Sequence, residues 1–257
     1  GHRDYRGGGR ASARETVARV IAGAVAKQLL AYHGVSFVSG VIQLGDVKAT
    51  KRDWPSVEKN DFSCPDPEAA VCMEKKLEEI RKNKDSVGGV VEVRAFGVPP
   101  GLGEPVFAKL DAEIGAAMFS IPAVKAVEIG AGVECAASLG SELNDDMYAD
   151  GFASNNHGGT LGGISSGAPI VVKISLKPTS SIPKEKNTID TAFRETKALT
   201  KGRHDPCVAL RAGPIAEAML ALVLLDALMI QLAADGLRSA FSPHSLIRYG
   251  MKDKNND

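Results

Sequence analysis

The stretch Gly202-Arg203-His204-Asp205-Pro206-Cys207 places a guanidinium, an imidazole, a carboxylate and a thiol within five residues, just ahead of an apolar run. Asp205 could accept a proton or partner a cofactor nitrogen. A carboxylate that merely closes a turn would look the same. Cys207, next to so apolar a run, reads as a buried, inert thiol before it reads as a nucleophile. His204 and Cys207 would supply two metal ligands with no third, so no metal site is expected. A second segment, Arg6-Gly7-Gly8-Gly9-Arg10-Ala11-Ser12, precedes a helical pattern. Its glycines allow backbone to approach a ligand, the N–H groups of a helix start favour an anion, and Arg10 and Arg14 add full charge. A tight turn with Ser12 as a plain N-cap accounts for the same residues. The glycine-rich run from Ser154 to Ile164 could lie against a flat ligand, although it lacks the Gly-x-Gly-x-x-Gly order and no Walker A pattern occurs. His157 within it reads more readily as a loop hydrogen-bonder than as a catalyst. Lys177-Pro178-Thr179-Ser180-Ser181 offers a cation and three hydroxyls at a strand end, where sites gather in layered folds. An ordinary strand exit also contains Pro and Ser.

These loops need elements to hold them. Residues 12–32 predict a helix, with Ser12 and Glu15 at capping-box spacing and Val17, Val20, Ile21, Ala24, Val25 and Leu29 recurring at helical intervals. Ala18, Ala22, Gly23 and Ala26 fill its other side, so burial on most faces is expected. Strands are predicted at 35–44, 89–96, 124–129 and 168–176, the last being the clearest. In 89–96, Glu92 and Arg94 alternate with apolar residues, which predicts one exposed face. Residues 68–84 and 105–119 read as helices. The polar, glycine-rich 140–167 is long for a passive connection, and 183–200 carries no pattern. A second very apolar helix begins near Pro214, a favourable first helical position, and ends near Gly236. Two apolar helices, each preceded by a loop of Gly and Arg, suggest duplicated helix-plus-sheet units with the helices sandwiched inside. One domain over 1–257 is expected, with 251–257 as a disordered tail.

The 257 residues carry 31 Lys+Arg against 31 Asp+Glu, so no global field favours nucleic acid and any anion site must be local. Zero net charge and a single Trp also disfavour a nucleic-acid binder built on Arg-Gly loops. With 44% hydrophobic and 24% charged residues the chain is of the globular class, not collagenous or disordered. Cys64, Cys72, Cys135 and Cys207 form no CxxC pair and read as reduced thiols. The longest apolar stretch, 215–234, is interrupted by Glu217, Asp226 and Gln231, so no membrane partner is expected.

Four strings together closely resemble chorismate synthase: Arg3 to Thr16, the Asn-His-Gly-Gly-x-x-Gly-Gly-Ile-Ser run from Asn156, Lys177 to Ile182, and Gly202 to Cys207. Gly101 to Phe107 and Glu217-Ala218-Met219 also match. The resemblance implies an α+β fold, a β-α-β sandwich with buried apolar helices, assembled as a homotetramer. It implies the anti-1,4-elimination of phosphate from 5-enolpyruvylshikimate-3-phosphate, which gives chorismate and needs reduced FMN, with NADPH as reductant in some members. By motif, the flavin would meet Arg10, Ala11, Ser12, Pro122, Ala123, Gly162, Lys177, Pro178, Thr179, Ser180, Ser181 and Arg203. Arg14 and Arg203 would hold the anionic substrate, and Ser12 and Asp205 would belong to a proton relay. Many bacterial members carry Asn where this chain has Pro122, so only main-chain contacts carry over there. The family's N-terminal portion, with its Gly-Glu-Ser-His-Gly motif and a second His in Arg-Pro-Gly-His, is not in this sequence, and His2 replaces neither. The resemblance therefore implies a chain truncated at its N-terminus and inactive alone, in a cytoplasmic or plastid setting. The alternative is a noncatalytic remnant that keeps the flavin- and phosphate-contacting loops.

Overall fold

The computed structural model describes residues 13–149, 151–200, 202 and 204–241. Its helices are α1 (Thr16–Ala31), α2 (Pro67–Lys82), α3 (Leu110–Phe119), α4 (Gly140–Leu143) and α5 (Gly213–Phe241). The strands are β1 (Ser36–Leu44), β2 (Val47–Lys48), β3 (Gly89–Phe96), β4 (Val124–Ile129), β5 (Met147–Tyr148), β6 (Gly151–Phe152), β7 (Thr160–Leu161), β8 (Ile164–Ser165), β9 (Ile170–Leu176), β10 (Lys186–Ile189) and β11 (Glu195–Ala198). One five-stranded sheet, ordered β2-β1-β3-β9-β4, carries the fold, and all of its pairs are antiparallel. The other strands form three small hairpins.

The sheet turns one face to the helices. Val91 lies opposite both Val41 and Ile174, and Ile174 opposite Val127, which makes an apolar row across four strands. Ala216, Leu220 and Leu224 of α5 are fully buried within the same core, and burying each leucine contributes about 2 kcal/mol. Next to α5 runs α1, and the two approach so closely that a Cβ at Gly23 would overlap the Cβ of Ala218. A polar clasp crosses this layer: Glu217 accepts from Ser39 Oγ at 2.7 Å and pairs with Lys27, whose ammonium lies 5.7 Å from the Phe37 ring centroid.

Several expectations change here. The α1 face that packs is the one of Thr16, Gly23, Ala26 and Leu30, while Val17, Ile21, Val25 and Leu29 are exposed. Small residues let helix axes approach most closely, so they win the contact with α5, and no second sheet covers the larger residues among the described residues. Glu15 pairs with Arg19 at 2.9 Å, and Ser12, the other residue of the expected capping box, lies outside the described residues. Strand β3 is covered on both faces. Glu92 is 1% exposed and accepts from Arg52 Nε at 3.0 Å and Arg94 Nε at 2.7 Å, while Arg94 stacks 5.0 Å from the Trp54 ring. The loop that follows β2 supplies Arg52 and Trp54, so it roofs the sheet's outer face. Helix α3 starts at Leu110, later than expected, and residues 183–200 contain the β10–β11 hairpin. By length and composition 213–236 would also cross a membrane, so its three polar interruptions do not decide the point; 33% of its most apolar window is buried in the fold. Residues 251–257 lie outside the described residues.

Candidate functional site

The register brings three strand ends to one edge, where Gly89 and Val124 both sit opposite Leu176. Whatever leaves β9 or enters β3 and β4 must meet there. Ahead of β4, Ala123 takes a left-handed backbone (φ +74°), which costs an alanine about 1 kcal/mol. Its carbonyl accepts from the Lys177 N–H at 2.9 Å, which ties the 122–123 turn to the strap that follows β9. Ser86 Oγ donates to the Thr179 carbonyl at 2.7 Å, and the Val87 N–H donates to the Pro206 carbonyl at 2.8 Å. Pro122, Ala123, the strap from Lys177 to Ser181, and His204 with Asp205 therefore share one end of the sheet. Lys177 and Asp205 are exposed. Lys186 holds the Ser180 carbonyl.

Two polar atoms at this end are buried without any hydrogen-bond partner: Thr179 Oγ1 and His204 Nε2. Leaving such a group unpaired costs roughly 1–3 kcal/mol, and it is repaid when a ligand supplies the partner. Cys207 is buried, and that burial pushes its thiol up, in keeping with an inert role.

The glycine-rich loop sits elsewhere. Gly158 packs on Gly130, the Gly130 N–H donates to the Val171 carbonyl at 3.0 Å, and the Val171 N–H returns a bond to Gly158 at 3.1 Å. These anchor the loop at the start of β9. Gly162, exposed in the β7–β8 turn, thus belongs to a loop anchored at the opposite end of β9 from the Lys177 strap. Near it, the Gly163 carbonyl accepts from Leu110 N–H at 2.8 Å, beside a cavity of about 460 Å³ that Glu104, Glu113 and Asp226 border. Three carboxylates make that cavity a poor host for a phosphate.

The loop's entry is built around Asp145. Its carboxylate accepts from Ser154 Oγ at 2.6 Å, from the N–H groups of Asn156 at 2.6 Å and His157 at 3.0 Å, and faces His157 Nδ1 at 2.9 Å. Burial alone would push its pKa up, but the bonds from Ser154, His157 and Asn156 more than offset this and bring it to about 2.

Arg10, Ala11, Ser12 and Arg203 lie outside the described residues, and Arg14 is exposed in the short turn ahead of α1. Sequence reasoning missed Ser86 and Asp145. Neither belongs to a motif, and each acts on a segment that chain folding brings to it. Among the described residues no cluster of His, Cys, Asp and Glu could hold a metal.

A family profile described as chorismate synthase matches residues 1–229. A curated chorismate synthase of Roseiflexus castenholzii is 55% identical over 236 residues, covering 90% of this chain and 66% of the relative. A crystal structure of chorismate synthase superimposes with a TM-score of 0.72 at 34% identity, covering 86% of this chain and 65% of that one. The chain thus spans just under two thirds of the length of both.

Proposed function

The chain belongs to the chorismate synthase family, and from that premise we propose that it serves the anti-1,4-elimination of phosphate from 5-enolpyruvylshikimate-3-phosphate with reduced FMN. The observation that carries this reading is the pair of partnerless buried atoms, Thr179 Oγ1 and His204 Nε2, in the two motifs assigned to the flavin. Both can hydrogen-bond a polar group placed between the strap and the His204 loop, so the residues present fit a phosphorylated cofactor.

When bound, reduced flavin supplies transient electron density to the substrate as phosphate leaves. The chain's own part is to hold and orient. Lys177 supplies positive charge to a phosphate, and Thr179, Ser180 and Ser181 supply hydroxyls. Arg14 and Arg203 grip the substrate's phosphate and carboxylates with forked donors. The Ala123 main chain, clamped by Lys177 N–H, presents a rigid edge. Asp205, exposed at the rim, takes up and returns a proton together with the Ser12 hydroxyl. A homotetramer, NADPH as a source of reducing equivalents and a cytoplasmic setting go with this reading.

The test is a titration with FMN followed by anaerobic turnover of 5-enolpyruvylshikimate-3-phosphate with chemically reduced FMN. Saturable FMN binding that Thr179→Val weakens about tenfold is expected, together with release of phosphate and chorismate once the family's N-terminal portion is joined to this chain. Binding without chorismate even from the joined protein would support the noncatalytic alternative, and no binding at all would sink the flavin assignment.

A further inference from the structure

The glycine loop's entry contains more hydrogen bonding than a passive turn requires. Four donors converge on the single carboxylate of Asp145: one hydroxyl, two successive backbone N–H groups and one imidazole nitrogen. The side chain of Asp145 is 6% exposed, and that of His157 is 32% exposed. A carboxylate accepting from two backbone N–H groups fixes the φ/ψ of Asn156 and His157, and hence the direction in which the chain enters Gly158. The Asn156 side chain adds a bond to the Leu143 carbonyl at 3.1 Å, which anchors the entry to the end of α4. An ionised carboxylate can only accept, so a neutral imidazole facing it must carry its proton on Nδ1. Nε2 is then an acceptor, and it has no hydrogen-bond partner among the described residues.

We infer that Asp145 and His157 form a positioning pair for the glycine loop 158–163: the carboxylate presets the loop's path and holds the imidazole in its Nδ1–H form, with Nε2 kept as an acceptor at the loop's base. The inference rests on the flavin reading only in that Gly162 belongs to the loop; the pairing itself stands on the geometry. An equivalent effect on a ligand would come from preorganisation, since a loop already held in its binding conformation loses less freedom when the ligand arrives.

Asp145→Asn separates positioning from folding. The amide keeps one oxygen for the Ser154 hydroxyl and the Asn156 N–H, but its NH₂ group is a donor where the N–H and the ring nitrogen of His157 both met an acceptor. The variant should keep the wild-type circular dichroism and a cooperative unfolding transition, with a midpoint lowered by the one unpaired His157 N–H, while nitrogen-15 NMR of His157 changes from the Nδ1–H to the Nε2–H tautomer. Amide hydrogen exchange at 158–163 should quicken about tenfold, and the FMN dissociation constant should rise about tenfold. His157→Asn should raise it by a similar factor, and the double variant should be no worse than either single one, because a pair is lost once. A wild-type tautomer in Asp145→Asn, or unchanged loop exchange, would overturn the pairing. A hundredfold loss in the double variant would show two independent residues instead. If wild-type protein binds no FMN, the flavin reading fails, and the tautomer and the exchange rates still decide the pairing.

Discussion

The two ends of β9 are finished in opposite ways. At its start the glycine loop is complete in itself: Asp145 absorbs four donors, Gly158 and Gly130 interlock, and Val171 bonds in both directions. At its end the strap is held through its backbone by Ser86, Ala123 and Lys186, and two buried polar atoms have no partner. The charges near them differ as well: Glu104, Glu113 and Asp226 border a cavity at the first end, whereas at the second Lys184 is paired with Asp85 and Lys186 with the Ser180 carbonyl. An end that satisfies its own polar groups is shaped before a ligand arrives, whereas an end that leaves them open gains its last hydrogen bonds from the ligand.

Removing the acceptor at the self-satisfied end should produce the largest effect. Asp145→Ala strands two backbone N–H groups and a hydroxyl, and a loss of about 3–5 kcal/mol is expected in urea unfolding. A loss below 1 kcal/mol would mean that water replaces the carboxylate and that this end is not preformed. Acid should reach the same group more gently. Asp145 titrates at about 2 in the folded chain, below the unfolded value near 3.9. A depressed folded pKa gives stability that is fully present above about pH 4 and is lost as pH falls toward 2, amounting to about 1–2 kcal/mol after solvent screening. Asp66 behaves alike: burial raises its pKa, but bonds from Lys51, Thr50 and Ala69 bring it to about 2. Unfolding curves at pH 7, 4 and 2.5 should therefore be nearly equal for the first two and weaker for the third, and Asp145→Asn should flatten part of that drop.

The strap end should respond with the opposite sign. Thr179→Val removes an oxygen that has no partner, so ligand-free stability should hold or rise by up to about 1 kcal/mol while FMN binding weakens. A clear loss of stability without ligand would show that Thr179 Oγ1 is already satisfied and would erase the contrast. The smallest change is Ser86→Ala. It deletes one bond to the Thr179 carbonyl and should cost about 1 kcal/mol, with faster hydrogen exchange confined to 177–181.

Alternation made β3 and β9 readable from residue order, since each buries an apolar row against the helices. The same logic was blind to β10 and β11, whose eight residues are all exposed and so have no apolar side to repeat. For α1 the periodicity showed a stripe but not its partner. Val17, Ile21, Val25 and Leu29 looked like the core face, and the close contact at Gly23 and Ala218 settled it the other way. Glu92 read as outward-facing because a strand's own pattern does not show a roof built from Arg52 and Trp54 forty residues earlier. At the site, motif residues from Pro122 to Asp205 were legible, but their division between two ends of a strand was not. That separation comes from sheet register, which residue order does not express.

The stack of Arg94 on Trp54 has an optical consequence. Trp54 is the sole tryptophan in the chain, and it sits on the outer face of the sheet, on the side away from α1 and α5. A guanidinium 5.0 Å from the ring centroid polarises the indole, so its emission is a built-in gauge of whether the 49–66 segment is seated. A shift in that emission on adding a ligand is a message carried through the sheet, from either end of β9 to its far side.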